Sequence, residues 1–551
     1  MTTTFNQFRA VTSFGLKVRE RSLTLLPRPM APAPIWLPAL AIAIAVALPV
    51  LYLLLRAVDA GFEDTWRLLA RQRTLETAVR SIGLIVATVA GSLALALPLA
   101  WLTVRTDLPN RNVWAVLTAL PLVIPSYVMA LLVISALGPR GLLQGALESP
   151  LGIQRLPSIY GLPGAALVIV TVTYPYALLT LRAALRRMDT ASEDVARTLG
   201  FGPWNVFTRV TLPRLRPTMA AGGLIVALYA LSDFGAVSLL RFETFTWAIY
   251  LQYQSSFDRA VAASMSLALI GIAAFLFLGE IRARGRNLAE GASTRAVKRS
   301  PPVVLGRWRL PAIVFVATVV FLTLAMPAGV LLTLLLRGLR AGEALSAPWG
   351  LAANSVLVSA AAAIAATAAA LPIAVLSVRY RSITTSLIAR VASLGFALPG
   401  IVVAVALVFF AANYLGRVYQ TIWILLFAYV ILFLPIAVGP LRSSLSQVGP
   451  HVEQAARTLG RTPVAVLASV TIPLMRPGIL AAIALVFLTV MKELPATLIL
   501  SPLEFKTLAT AAWSASSEAF FARAAAPALM LILLSSLPIT LLVIRDRDRA
   551  A

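Results

Sequence analysis

The chain lacks cysteine altogether, holds one histidine, and spends only 13% of its 551 residues on Asp, Glu, Lys and Arg. With no cysteine there is no disulfide, thiolate metal site or thiol nucleophile. The single imidazole, His451, directly follows Pro450 beside a polar loop, a place suited to starting a helix rather than to catalysis or metal ligation. No GxxxxGK sequence ending in Ser or Thr occurs, nor any Gly-Lys pair. If a nucleotide powers this protein, another subunit must bind it. An enzyme buried in a membrane would need a convergent nucleophile, base or metal ligands, and this inventory is thin.

What is present is apolar surface: 59% of the residues are hydrophobic and the mean hydropathy is +0.87, far from soluble-domain norms. The chain is therefore an integral membrane protein. Apolar runs of about 20 residues cross a hydrocarbon core as helices, and no short alternating segments of a membrane barrel appear. The expected fold class is all-α polytopic. Six spans are expected in each half, near 35–56, 78–104, 113–137, 163–181, 217–240 and 260–281, then 310–336, 354–378, 388–412, 418–441, 477–500 and 524–544.

The halves are copies of one another. EDVARTLG and then VTLPRLRP, from Glu193 and Val210, return as EQAARTLG and VTIPLMRP from Glu453 and Val470, an offset of 260. ALPLAWLTVR (Ala96 to Arg105) matches ALPIAVLSVR (Ala370 to Arg379), and Pro125 matches Pro399, both at an offset of 274. The first half must then carry extra residues between Gly138 and Leu162. The expected domains are a tail 1–34, a first module 35–281, a basic linker 282–309, a second module 310–544 and a tail 545–551. The basic tail could pass for the start of a secretory signal, but the run from Ile35 to Leu55 is long for that and pairs with the first span of the second half. It is expected to be a retained first helix.

A net charge of +25 would suggest nucleic acid in a soluble protein. Here about two-thirds of the basic residues fall in the tails, the linker and alternate loops, so the positive-inside rule makes these cytoplasmic, together with both repeated loops and both termini. The linker, with eight Lys and Arg against Glu290, is expected to be a flexible cytoplasmic segment that touches anionic headgroups.

Each repeated loop, near 186–216 and 442–476, has the makings of helix, Gly turn, helix. Ser192 or Thr190 is a candidate N-cap, with Asp189, Glu193 and Asp194 near the positive end of the dipole. Gly200 and Gly460 suit the left-handed position that ends a short helix, and Pro203 and Pro463 cannot continue it.

This pattern resembles the EAA loop of ABC-importer permeases, and over nearly the whole chain the sequence looks like two fused six-span permease modules of the type I ABC-importer fold. In that family the helix before the glycine is a coupling helix that docks on the ATP-hydrolysing subunit. The resemblance implies coupling roles for Glu193, Asp194, Ala196, Gly200, Glu453, Gln454, Ala455, Ala456 and Gly460. The family's Glu-Ala-Ala falls on Asp194, Val195 and Ala196 and on Gln454, Ala455 and Ala456, with Glu193 and Glu453 one position earlier. The partners it implies are ABC ATPases, in two copies, and a periplasmic substrate-binding protein, at a bacterial inner membrane. No cofactor, no resident metal and no catalytic residue is expected.

Asp233 and Glu493, in SDFGAV and KELPAT, also stand 260 apart, each just before a helix breaker, Gly235 or Pro495. A carboxylate within a span is costly and faces protein or a wet path. One reading puts the two on a translocation route that attracts cations; another pairs Glu493 with Lys492 and leaves Asp233 near a helix end. The segments KELPATLIL and FKTLATAAW, Glu518 and Arg523, and SDFGAVSLL look like those of ferric-iron permeases served by periplasmic iron-binding proteins. The fused arrangement is also similar to thiamine and phosphonate permeases. From another class, an ion-gradient-driven carrier would be expected to hold more intramembrane acids and no docking repeat.

Overall fold

The computed structural model describes residues 32–59, 61–139, 141–151, 157–189, 191–255, 259–290, 302–342, 348–380 and 382–550. Among these residues the structure is helical, and one isolated parallel bridge, Thr106 to Val303, is the extended pairing it contains. Among the described residues nine helices are long and apolar enough to cross a membrane, or ten when the bent pair Pro463–Leu474 and Arg476–Met491 is one span.

The first half runs through α1 (Ala33–Asp59), α2 (Gln72–Arg105), α3 (Ser126–Leu137), α4 (Leu162–Arg187), the loop helix α5 (Ala191–Thr198), α6 (Leu212–Ser232), the short α7 (Gly235–Leu239) and α8 (Arg259–Glu290). The second half repeats this as α9 (Gly306–Arg340), α10 (Trp349–Arg379), α11 (Gly400–Tyr414), α12 (Ile422–Gln447), the loop helix α13 (Pro450–Thr458), α14 (Arg476–Met491), α15 (Pro495–Leu500) and α16 (Phe521–Ala550). The first half's extra residues include the helix Leu142–Leu151, where the second half has only turns between Leu415 and Thr421.

The third and fifth spans depart from the continuous helices expected. In the third, Arg111–Leu117 gives way to a tight turn at Leu120–Val123, and α3 starts only after Pro125. Ile124 precedes that proline and is extended, at φ −79° and ψ 122°, as the clash with the proline ring demands. Pro399 starts α11 in the same way, with ψ 139°. The fifth spans break where the acids lie: Asp233 and Leu494 stand between α6 and α7 and between α14 and α15.

The division at the linker is one of sequence, not of space. The ring of Tyr52 on α1 lies 5.6 Å from Phe410 of the second half, and its hydroxyl accepts from Asn413 Nδ2 at 3.2 Å. Reciprocally, Ala312, Val316 and Val319 of α9 are buried with Leu99, Tyr174 and Leu178 of the first half. Each half thus lends its first span to the other. The linker differs from expectation too: α8 continues to Glu290, and after the undescribed residues 291–301 the chain is fastened to the first half. Val303 N–H donates to Arg105 O at 2.8 Å, and Leu305 N–H donates to Asp107 Oδ1 at 2.9 Å.

Candidate functional site

The repeated loops have one geometry. Both short helices end in the same way, Gly200 at φ 83° and Gly460 at φ 84°. Gly200 N–H reaches Arg197 O and Phe201 N–H reaches Ala196 O, at 3.0 and 3.1 Å, and the second copy repeats both bonds from Gly460 to Arg457 and from Arg461 to Ala456. This is the paired 5→2 and 6→1 closure in which a left-handed residue seals the end of a helix. The start of α5 decides against one of the two N-cap candidates. Ser192 lies inside the helix, where it accepts from Arg214, and Asp189 Oδ1 instead takes the Ala191 N–H at 3.1 Å. Thr190 lies outside the described residues. Pro450 opens α13 at its first position, with His451 exposed behind it.

After each glycine comes a π-turn, Phe207–Thr211 and Leu467–Thr471, closed by Leu212 N–H to Phe207 O and by Ile472 N–H to Leu467 O. Pro213 and Pro473 follow at once; lacking an N–H, they cannot extend the ordinary ladder, and the wider turn absorbs the mismatch.

Glu193 and Glu453 point inward. Glu193 Oε1 accepts from Thr211 Oγ1 at 3.1 Å and lies 3.5 Å from Arg105 Nη2. Glu453 accepts from Thr471 Oγ1 at 3.2 Å and from Arg379 through Nε at 3.1 and 3.2 Å and Nη2 at 2.9 Å. Each loop helix is therefore fastened to the end of the second span of its own half by a carboxylate, a guanidinium and a threonine. The sequence held the signal, since Arg105 and Arg379 end the matching ALPLAWLTVR and ALPIAVLSVR segments and Thr211 and Thr471 sit in the repeated loop, yet no spacing rule joins residues so far apart. Ala196 is buried with Glu193, and Ala456 is half-buried. What the loops present outward is apolar or polar without being acidic: Val195, Leu199 and Trp204 in one, Val452, Leu459, Gln454 and Ala455 in the other. Asp194 is half-exposed and faces Arg197 at 3.6 Å.

The acids of the fifth spans are held by backbone. Asp233 Oδ1 accepts the Ala236 N–H at 3.0 Å. Glu493 takes the N–H groups of Ala496 and Thr497 at 2.9 and 3.0 Å and the Thr497 hydroxyl at 2.9 Å. Each carboxylate caps the short helix after the break, satisfying donors that have no partner inside the helix. Lys492 forms no local pair with Glu493; its Nζ donates to Leu122 O of the first half at 3.0 Å. Close packing surrounds both sites. A Cβ on Gly235 would meet Tyr127 Cβ at 2.7 Å, and one on Gly400 would meet Glu493 Oε1 at 2.7 Å. Across the halves, Trp513 Nε1 donates to Ser238 Oγ at 3.0 Å. Among the described residues no three His, Asp or Glu side chains gather as a metal site.

Two helical modules with matching loops and matching breaks in their fifth spans agree with the comparison to known proteins. The family of binding-protein-dependent transport system inner membrane components matches the chain twice, over residues 92–284 and 366–549. The chain belongs to that family. It is 34% identical over 515 residues to the Fe(3+)-transport system permease protein FbpB 2 of Haemophilus influenzae, covering 92% of this chain and 98% of that one. The sulfate transport system permease protein CysW of Escherichia coli is 26% identical over 42% of this chain and 79% of its own length. The molybdenum transport system permease protein ModB of the same species is 32% identical over 33% of this chain and 81% of its own. The iron-transport relative matches over nearly the whole of both chains, whereas CysW and ModB match less than half of this one. The two modules are thus those of a membrane permease that works with a binding protein.

Proposed function

We propose that this chain is the permease subunit of an ABC importer that passes ferric iron, delivered by a periplasmic binding protein, into the cytoplasm. The observation that carries the substrate is the similarity to an iron-transport permease over nearly all of both chains. Two loops of one geometry favour two ATPase copies, one on each, with Leu199 and Leu459 as apolar tips at 72% and 83% exposure and Gly200 and Gly460 holding them at a fixed angle. Glu193 and Glu453 then act as positioning residues that transmit ATPase closure to α2 and α10. ATP hydrolysis belongs to the partner subunit. Both termini and both loops lie on the cytoplasmic side, where the basic residues and the cytoplasmic leaflet attract one another.

Transport follows from differential binding. The ATPases favour one opening of the paired modules over the other, and the solute moves as that equilibrium is driven back and forth. Asp233 and Glu493 stand at the breaks of the pseudo-equivalent fifth spans and supply hard oxygen ligands along the route, suited to a trivalent cation. The test is reconstitution of the full chain with its ATPase and binding protein in liposomes. Iron-loaded binding protein should stimulate ATP hydrolysis and iron uptake. Stimulation by a thiamine-loaded or phosphonate-loaded protein in its place would overturn the substrate while leaving the importer class standing.

A further inference from the structure

The two Arg-Glu fastenings are not equal, and the difference leaves room. Around Arg379 the space is nearly closed, about 20 Å³, because that guanidinium is spent on Glu453 and on the carbonyls of Val448 and Leu445 at 2.8 and 3.3 Å. Around Arg105 a cavity of about 410 Å³ opens. Its lining includes Arg105, Arg111, Arg186 and Arg197, against the single acid Glu193. Arg105 approaches its neighbours only at the outer limit, 3.5 Å to both Glu193 Oε1 and Met188 O, and its Nε is buried with no hydrogen-bond partner among the described residues. A buried donor without an acceptor is costly, by an amount comparable to a lost hydrogen bond. The second half removes that cost with its own acid; the first half does not.

We infer that this cavity binds a phosphate-type oxyanion, whose oxygens take the guanidinium groups of Arg111 and Arg186 and the edge of Arg105 that lines the cavity. Planar guanidinium forks match phosphate oxygens. The walls also suit a headgroup at the membrane surface, with Trp101, Val206 and Phe207 on one side, and basic pockets between spans on the cytoplasmic side hold such groups. Pro302 and Val303 complete the lining, so an anion there touches both the fastened end of the linker and the base of the first coupling loop. The outward residues Val195, Leu199 and Trp204 are not part of the cavity, and a partner docked on them leaves it free to fill. The ligand is either the phosphate of an anionic phospholipid or soluble inorganic phosphate, and one experiment separates these.

The full chain is placed in nanodiscs of phosphatidylcholine alone, with inorganic phosphate titrated in, and in nanodiscs that also contain phosphatidylglycerol. Thermal stability is read in both arms, and phosphatidylglycerol retention is read by native mass spectrometry. Arg111→Gln with Arg186→Gln changes two exposed residues and leaves the core alone, and it should weaken binding about ten-fold or more. Arg105→Gln should do the same. The control, Arg390→Gln with Arg442→Gln, removes the same charge from exposed positions outside the cavity and should leave affinity within about two-fold. A response in the phosphatidylglycerol arm alone makes the ligand a lipid, and one in the phosphate arm alone makes it a soluble anion. No response in either arm, or equal loss in the cavity variants and the control, overturns the site.

Discussion

Arg379 grips Glu453 with three contacts of 2.9 to 3.2 Å, whereas Arg105, its counterpart, stands 3.5 Å from Glu193. The same three residue types fasten both coupling loops, yet one fastening is a charge-assisted fork and the other is loose. A double-mutant cycle on purified protein should show this. Removing one partner of the tight, largely buried pair should cost about 3 kcal/mol, and the coupling energy of Arg379 with Glu453 should exceed that of Arg105 with Glu193 by about 1 kcal/mol or more. Equal coupling energies in the two halves would sink the asymmetry.

Gly200 and Gly460 have open space where a Cβ would go, so substitution there meets no clash and acts through the backbone alone. A β-branched residue at positive φ is strained by about 1–3 kcal/mol and should tilt or fray the end of the loop helix. Gly200→Val with Gly460→Val should cut transport and the ATPase stimulation that accompanies it at least several-fold, and Gly→Asn, which tolerates this region, should retain most of both. Uptake and stimulation at wild-type levels in the double Val variant would remove the proposed role of the turns.

Asp233 caps a helix and carries a charge, and two variants separate these jobs. Asp233→Asn keeps an oxygen for the Ala236 N–H and remains a good cap, whereas Asp233→Ala loses both and should cost about 1 kcal/mol of stability. If the charge eases a trivalent cation through the pore, Asp233→Asn with Glu493→Gln lowers iron flux several-fold with ATPase docking intact. Normal flux in that double variant, with reduced stability in Asp233→Ala, would leave capping as the whole function of the acid.

Topology gives a fourth expectation. Reporter fusions at Thr190 and Gly449 should both score cytoplasmic, because the excess of Lys and Arg on that face sets the orientation. A periplasmic score at either position would contradict the arrangement of paired modules.

Much of this was legible in the sequence because it is local. Gly200 and Gly460 announce their left-handed turns, and the repeated segments announce the two modules. Other features depend on partners that a linear reading cannot supply. Ser192 has the chemistry of an N-cap but lies within the helix, which already starts at Ala191, and Asp189 takes the Ala191 N–H. Pro125 and Pro399 were visible as a matched pair, yet their effect, splitting the third spans, competes with an apolar run long enough to read as one helix. Lys492 and Glu493 are neighbours in sequence and separate in their bonds, the lysine crossing to Leu122. Glu193 looks like a docking acid by its position in the motif; its 88-residue separation from Arg105 hid the partner that turns it inward.

The exchange of first spans has a mechanical consequence. With Tyr52 seated against Phe410 and Val316 against the opposite half's core, each half is strapped across its neighbour, like two hands with crossed thumbs. The pair can tilt, but a clean parting would pull both straps from their beds and expose the apolar rows on α1 and α9. Cutting the chain within residues 291–301 should therefore leave two fragments that copurify, and the peptide link between the halves serves synthesis in equal number more than it serves cohesion.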